Sequence, residues 1–377
     1  MKTAAALASL ALGLMATSAL ATPRPLSDAQ LSGIVAGANF IVIDEISDTN
    51  TVGANPPDGA LVNAWGLSEF PDGGPLWVSN NGSGTSTFYN FNTFAKVGQI
   101  TVPGSGGAQG VPTGTVFTSV KGDDFAVTEN GKTSHSFFLF DGEDGTISGW
   151  TPAVDPGSAV IAVDQSMSGA VFKGLAIDVD ASEHQDRLFA ADFVQNKVEV
   201  FNGKFQQIGS FTDNSLPAGY APFNVQVLHD KVYVAFALRG DGLDEQHGAG
   251  LGFVEVFNEH GVKIKTLVSG GPLNAPWGLT IAPKSFGKFA GALLVGNFGD
   301  GKINAFNPNT GEFLGTLSSP GGAPVSIDGL WALRNGPDGS VVFSSGPDDE
   351  NHGLVGVIRP SWAKASWAYQ SHVVMGH

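Results

Sequence analysis

Apolar and polar positions alternate in short runs along most of the chain, as in Phe40-Ile-Val-Ile-Asp-Glu-Ile, Lys197-Val-Glu-Val-Phe-Asn and Lys302-Ile-Asn-Ala-Phe-Asn, and Gly, Asn and Asp break each run. A period of two bounded by turn residues predicts β-strands, each burying one face. The runs recur as a unit. Asn63-Ala-Trp-Gly-Leu-Ser with Pro75-Leu-Trp-Val-Ser-Asn-Asn matches Asn274-Ala-Pro-Trp-Gly-Leu-Thr with Leu293-Leu-Val-Gly-Asn-Phe. A third copy runs from Val171-Phe-Lys-Gly-Leu-Ala-Ile to Gln207-Ile-Gly-Ser-Phe, and weaker copies start at Val111, Ala221 and Ile327. One column collects Gly66, Gly114, Gly174, Asn224, Gly278 and Gly329, spaced 48, 60, 50, 54 and 51 residues apart. Repeats of about 50 residues built from short strands predict a propeller, here an all-β, six-bladed β-propeller over residues 38–360.

Radial sheets need a closure device, since an unpaired edge invites slippage. The last repeat supplies three strands, ending at Leu354-Val-Gly-Val-Ile-Arg, so the alternating run at Phe40 is expected to complete it. Residues 22–37 form a lead segment with a short capped helix expected from Ser27 to Val35, and 361–377 a C-terminal tail. Residues 1–21 read as a signal peptide: Lys2, then a small and apolar run to Ala19-Leu20-Ala21, with the mature chain starting at Thr22. Secretion, to the periplasm or the medium, follows, and no membrane span is expected in the mature chain.

Composition narrows the chemistry. With no cysteine the chain has neither disulfides nor thiolate ligands. The hydrophobic share of 42% against 14% charged describes a large buried core, and 52 Gly with 21 Pro suit many tight turns rather than long helices. The formal charge of −16 becomes −17 when Lys2 leaves with the signal (−16 − 1). Such a surface repels nucleic acid and anionic lipid, so the expected partners are a small neutral or cationic ligand or another secreted protein.

The sequence of small residue, apolar strand, Ala/Gly-Asp/Asn, gap and Val-x-Val-Phe resembles the NHL-type six-bladed propellers. Leu61-Val-Asn-Ala-Trp-Gly-Leu, Leu76-Trp-Val-Ser-Asn-Asn-Gly-Ser-Gly, Gly250-Leu-Gly-Phe-Val-Glu-Val-Phe and Gly346-Pro-Asp-Asp-Glu-Asn-His-Gly-Leu-Val-Gly-Val-Ile resemble, more narrowly, a secreted microbial propeller family. In such a fold the segment before strand 1 and the turn between strands 2 and 3 surround the channel mouth, where ligands bind.

Placing those turns by sequence gathers Asn80, Glu129, Asp192, the Arg239–Gly250 loop, Asn297 and the Gly346–Gly353 loop, a set of hard oxygen donors suited to Ca²⁺. The more distant resemblance to the regucalcin and gluconolactonase type of propeller implies Asn80, Glu129, Asp192 and Asn297 as ligands of one divalent cation, a Lewis acid for lactone or ester hydrolysis. On that reading Glu129 and Asp192 carry the catalysis. The same side chains also suit ordinary turns, in which they bond backbone N–H groups.

A second constellation is repeated within the chain: Asp244-Glu-Gln-His-Gly and Asp349-Glu-Asn-His-Gly fall in blades 4 and 6. With His135 in blade 2, the imidazoles of His135, His247 and His352 would approach the axis from three sides, a geometry for Zn²⁺ with Glu245 or Glu350 as general base. Arg239, Asp241 and Asp244 lengthen the blade 4 loop into a candidate lid, and Asn80, Asn297, Arg239, Asp244 and Glu245 are the candidate ligand-binding residues. Trp65, Trp277 and Trp331, at strand 1 starts, are expected to pack beside the axis. Asp141-Gly-Glu-Asp-Gly reads as a hairpin turn between outer strands. Two classes of function therefore stand open: a binding or scaffolding module, and a cation-dependent hydrolase, both using the channel mouth.

Overall fold

The computed structural model describes residues 39–50, 53–71, 73–119, 122–179 and 186–363. The signal peptide, the lead-segment helix and most of the C-terminal tail lie outside the described residues.

Each repeat forms one four-stranded antiparallel sheet, and the six sheets are the blades of a propeller. Blade 1 comprises Ala64–Glu69, Leu76–Asn80, Thr85–Tyr89 and Lys96–Thr101; blade 3 comprises Phe172–Asp178, Arg187–Asp192, Lys197–Asn202 and Gln207–Phe211. Blade 4 runs through Tyr220–Val227, Val232–Leu238, Phe253–Phe257 and Lys263–Ser269, and blade 5 through Pro276–Ile281, Leu293–Asn297, Ile303–Phe306 and Phe313–Thr316. Blade 2 is built from Pro112–Phe117, Phe138–Gly142, Thr146–Trp150 and Val160–Asp164. Between its first two strands it carries an extra hairpin, Ala126–Glu129 with Lys132–His135. No helix among the described residues is long and apolar enough to cross a membrane.

In blade 6, Leu330–Asn335, Val341–Ser345 and Leu354–Pro360 come from the end of the chain, and Phe40–Ser47 adds the outer strand. The register runs from Phe40 opposite Pro360 to Ser47 opposite Leu354. The Phe40 side chain is buried with Phe286 and Phe289 of blade 5.

Alternation along the strands places the core between blades. Six apolar clusters among the described residues correspond to the six blade–blade interfaces. Trp77 and Phe138 join blade 1 to blade 2, for example, and Leu294 and Phe343 join blade 5 to blade 6.

Around the axis the first strands approach so closely that a side chain has no room at two column positions. A Cβ on Gly66 would lie 2.5 Å from the Thr113 carbonyl oxygen, and one on Gly114 would collide with the Leu175 backbone. The register corrects the column in blade 6. Leu330 pairs with Ser345 as Ala64 pairs with Asn80, so the equivalent of Gly66, two residues on, is Ala332 and not Gly329. Gly329 is instead a turn residue with φ of 61°.

Candidate functional site

The residue preceding each column position defines a ring at the channel mouth: Trp65, Thr113, Lys173, Phe223, Trp277 and Trp331. Three indoles fill it. Trp65 stacks on Trp331 with ring centroids 3.4 Å apart, and Trp277 meets both edge-on at 6.1 and 5.7 Å. Phe298, from the blade 5 turn, stacks on Trp331 at 3.9 Å. All three indoles are buried, so they plug the channel. Trp277 Nε1 donates to the Lys173 carbonyl (2.8 Å), and Trp331 Nε1 donates to Asn63 Oδ1 (3.1 Å).

Lys173 stands where three other blades place an indole. Only 2% of its side chain is exposed. Its Nζ lies 5.5 Å from the Trp65 ring, 5.6 Å from Phe193 and 5.8 Å from Phe223, a cation over an aromatic floor. Glu143 Oε1 accepts from this ammonium at 3.0 Å, and Asp244 Oδ1 and Glu245 Oε2 lie 3.8 and 3.9 Å away. Burial pulls the ammonium's pKa down, but Glu143, Glu245 and Asp244 more than offset this and leave it above the ordinary lysine value.

A third glutamate closes the group. Glu350, on a left-handed residue of the blade 6 turn (φ 65°), accepts from Asn63 Nδ2 at 3.1 Å. Burial and then repulsion from Glu143 and Glu245 push its carboxyl up to about 7, against the opposing pull of Lys173. Asn81 Nδ2 donates to Glu143 Oε2 (2.9 Å) and to the Val111 carbonyl (3.3 Å), fixing that carboxylate. Blades 2, 4 and 6 thus each bring one glutamate toward a single ammonium contributed by blade 3. Chemically, the site holds a fixed cation, an excess of carboxylate and one carboxyl that exchanges its proton near neutrality.

Three of the side chains selected from the sequence as cation ligands are each held by local hydrogen bonds through one atom, with Asn80 Oδ1, Asp192 Oδ2 and Asn297 Oδ1 buried and unpartnered among the described residues. Asn80 Nδ2 donates to Thr85 and Thr87, both at 3.0 Å. Asp192 Oδ1 accepts from the Val171 and Gln195 N–H groups (3.2 and 3.1 Å), and Asn297 Nδ2 donates to Pro272 O and Asp300 (2.8 and 3.0 Å). Each stabilises its own blade.

Glu129 and His135 lie on the extra hairpin of blade 2, which follows strand 1 and so belongs to the face opposite the mouth. His135 Nδ1 bonds the Asp124 carbonyl and its Nε2 the Ser119 carbonyl at 3.0 Å. His247 is half-exposed, edge-on to Phe298 and 3.4 Å from Glu245 Oε1, while His352 Nδ1 bonds Asp48 Oδ2 at 2.8 Å. The three imidazoles therefore do not share a centre. Among the described residues no group of three or more His, Cys, Asp or Glu is arranged to hold a metal.

The blade 4 loop does reach the mouth through Asp244 and Glu245. Arg239 acts beneath it, donating from Nη1 to the Val194 carbonyl at 2.7 Å and so tying the loop to blade 3.

Lys173, Glu143 and Asn63 were not selected by sequence reasoning. The turn carrying Glu143 is the strand 2–3 turn of blade 2, not an outer hairpin. Counting Ala126–Glu129 as strand 2 displaced that assignment. Lys173 was visible as the lysine in the column that also holds Trp65, Trp277 and Trp331.

Six four-stranded sheets around a plugged axis, closed by a strand from the other end of the chain, define a six-bladed β-propeller. The chain belongs to the family of "Uncharacterized protein R648" of Acanthamoeba polyphaga mimivirus, with which it is 34% identical over 332 residues, 85% of this chain and 79% of that protein. "Uncharacterized protein L690" of the same virus is 31% identical over 329 residues, 83% and 84% of the two chains. No family model matches.

Among solved structures, a glucose dehydrogenase aligns with a TM-score of 0.48 at 13% identity, over 81% of this chain and 98% of that one. The soluble aldose sugar dehydrogenase of Escherichia coli gives 0.47 at 13% identity, over 86% and 99%. The WD40 propeller domain of Doa1 gives 0.47 at 11%, over 81% of each. At such identities a shared architecture carries no chemistry with it.

Proposed function

We propose that the protein is a binding module whose channel mouth captures a cationic group of a small ligand or of a partner protein. The observation that carries this is the gathering of Glu143 and Glu245 around the single ammonium of Lys173, with the Glu350 carboxyl close enough to feel the charge of all three. That single ammonium, held closest to Glu143, does not balance the carboxyl groups of Glu143, Asp244, Glu245 and Glu350, so the mouth carries a net negative potential above about pH 7. Asp244, 81% exposed, extends the same potential outward. The buried indoles offer no accessible stacking face, so recognition rests on charge and hydrogen bonding.

A thermal-unfolding titration with spermidine at fixed ionic strength and pH 8 tests it. A saturable rise of a few degrees supports the proposal, provided the E245Q/E350Q double variant loses it. A rise reproduced by sodium chloride alone, or retained by the double variant, overturns it.

Hydrolysis of a lactone or ester is a second reading, supported by one observation: Glu350 is a partly buried carboxyl with a pKa of about 7, suited to a general base. It requires chromogenic ester turnover that rises through pH 7 and disappears in E350Q. The resident ammonium and the turn-bound Asn80, Asp192 and Asn297 favour binding over a cation-dependent form of that reaction.

We also propose that the protein acts outside the cytosol, on the strength of the apolar run before Thr22. N-terminal sequencing of expressed protein that begins at Thr22 supports this, and an intact Met1 in the cell fraction opposes it.

A further inference from the structure

The opposite end of the channel has a different chemistry. Below the indole plug, a cavity of 260 Å³ reaches from Trp277 down to Glu69, Gln226, Thr280, Arg334 and Asn335. A neighbouring cavity of 430 Å³ shares Glu69, Gln226 and Arg334 with it. Among the described residues, Glu69 and Arg334 are the only charged side chains lining either space, so the described lining is neutral in sum.

Arg334 is underused there. A guanidinium has five N–H donors in a planar fork. Among the described residues its one ion pair is a single long contact, Nη2 to Glu69 Oε2 at 3.3 Å, and its Nε–H is buried without a partner there. Glu69 is partly exposed, so this contact is a weak competitor. Amide and hydroxyl groups of Gln226, Thr280 and Asn335 stand around the remaining space.

We infer that this end of the channel binds a small hydroxylated monocarboxylate, its carboxylate forked on Arg334 and its hydroxyl groups on the surrounding amides. A planar carboxylate matches the two terminal nitrogens of the guanidinium end-on with two parallel hydrogen bonds, which the single Glu69 contact does not supply. A dianion such as sulfate gains the same fork but meets the Glu69 carboxylate with twice the charge. A neutral amide forgoes the charge-assisted pair.

Calorimetric titration of the full chain with sodium lactate at pH 7 tests the site, with lactamide and sodium sulfate at equal ionic strength as comparators. Saturable binding of lactate alone is expected. R334K keeps the charge but loses the fork, and should weaken binding by about tenfold or more. E69Q removes the competitor and should tighten it by about threefold, a gain that a poorly folded variant does not mimic. The site is overturned by no saturable lactate binding, by equal binding of lactamide or sulfate, or by R334K and E69Q both matching the parent.

Discussion

The Lys173 ammonium lies 3.0 Å from Glu143 Oε1, joining strand 1 of blade 3 to the strand 2–3 turn of blade 2 under an acidic rim. A charge this deep persists because carboxylates repay its desolvation, and removing it leaves those carboxylates uncompensated. K173M should therefore destabilise the protein by about 3–5 kcal/mol at pH 8. Because the Lys173 charge also holds the Glu350 carboxyl down, its removal favours protonated Glu350, and the loss should shrink as pH falls toward 5. Chemical denaturation of both proteins at the two pH values measures it; equal stability at pH 8 would sink the assigned role of Lys173.

Glu350 gives the opposite sign. Its carboxyl has a pKa of about 7 folded against an ordinary value of 4.5, so the folded state binds its proton more tightly. The stability this contributes is present below pH 4.5 and is lost as pH rises through about 7. E350Q, which cannot ionise, should be more stable than the parent by roughly 1–3 kcal/mol at pH 8 and similar to it at pH 4.5. Melting curves across that range decide the matter.

At the axis, G66A forces a Cβ toward the Thr113 carbonyl, and main chain yields little; a loss of about 1–3 kcal/mol is expected. The register makes Ala332 the equivalent position in blade 6, already carrying a methyl. A332G should cost no more than about 1 kcal/mol. If G66A proves the milder of the two, the close approach of blades 1 and 2 is misplaced.

Closure by the first strand predicts a long-range effect from a residue near the start of the chain. Phe40 packs with Phe286 and Phe289, so F40A should cost about 3–5 kcal/mol and expose the edge of Leu354–Pro360. Faster hydrogen exchange in that strand, with blade 3 unaffected, is the expected signature.

Where the sequence reading went astray, one element explains much of it. The hairpin Ala126–His135 has the alternation and the turn of a blade strand pair, and local pattern cannot tell an insertion from a blade member. Counting it as strand 2 carried Glu129 and His135 to the mouth in place of Glu143. Gly329 entered the column for a related reason: a glycine needed for a left-handed turn looks the same as one needed for close packing. The turn residues Asn80, Asp192 and Asn297 each commit one side-chain atom to a nearby turn or strand, while Asn80 Oδ1, Asp192 Oδ2 and Asn297 Oδ1 stay buried without a hydrogen-bond partner among the described residues.

The sequence by itself determined the all-β character, the number of blades and the strand that completes the last one, because alternation, turn residues and repeat length are local or periodic properties. It also showed the three tryptophans at strand 1 starts. Only the tertiary structure decided which charges meet. The contacts of Lys173 with Glu143 and Glu245, and of Glu350 with Asn63, depend on the rotation between blades and on turn conformations such as the positive φ at Glu350. Nothing in linear spacing encodes those angles; they follow from how six twisted sheets pack around one axis.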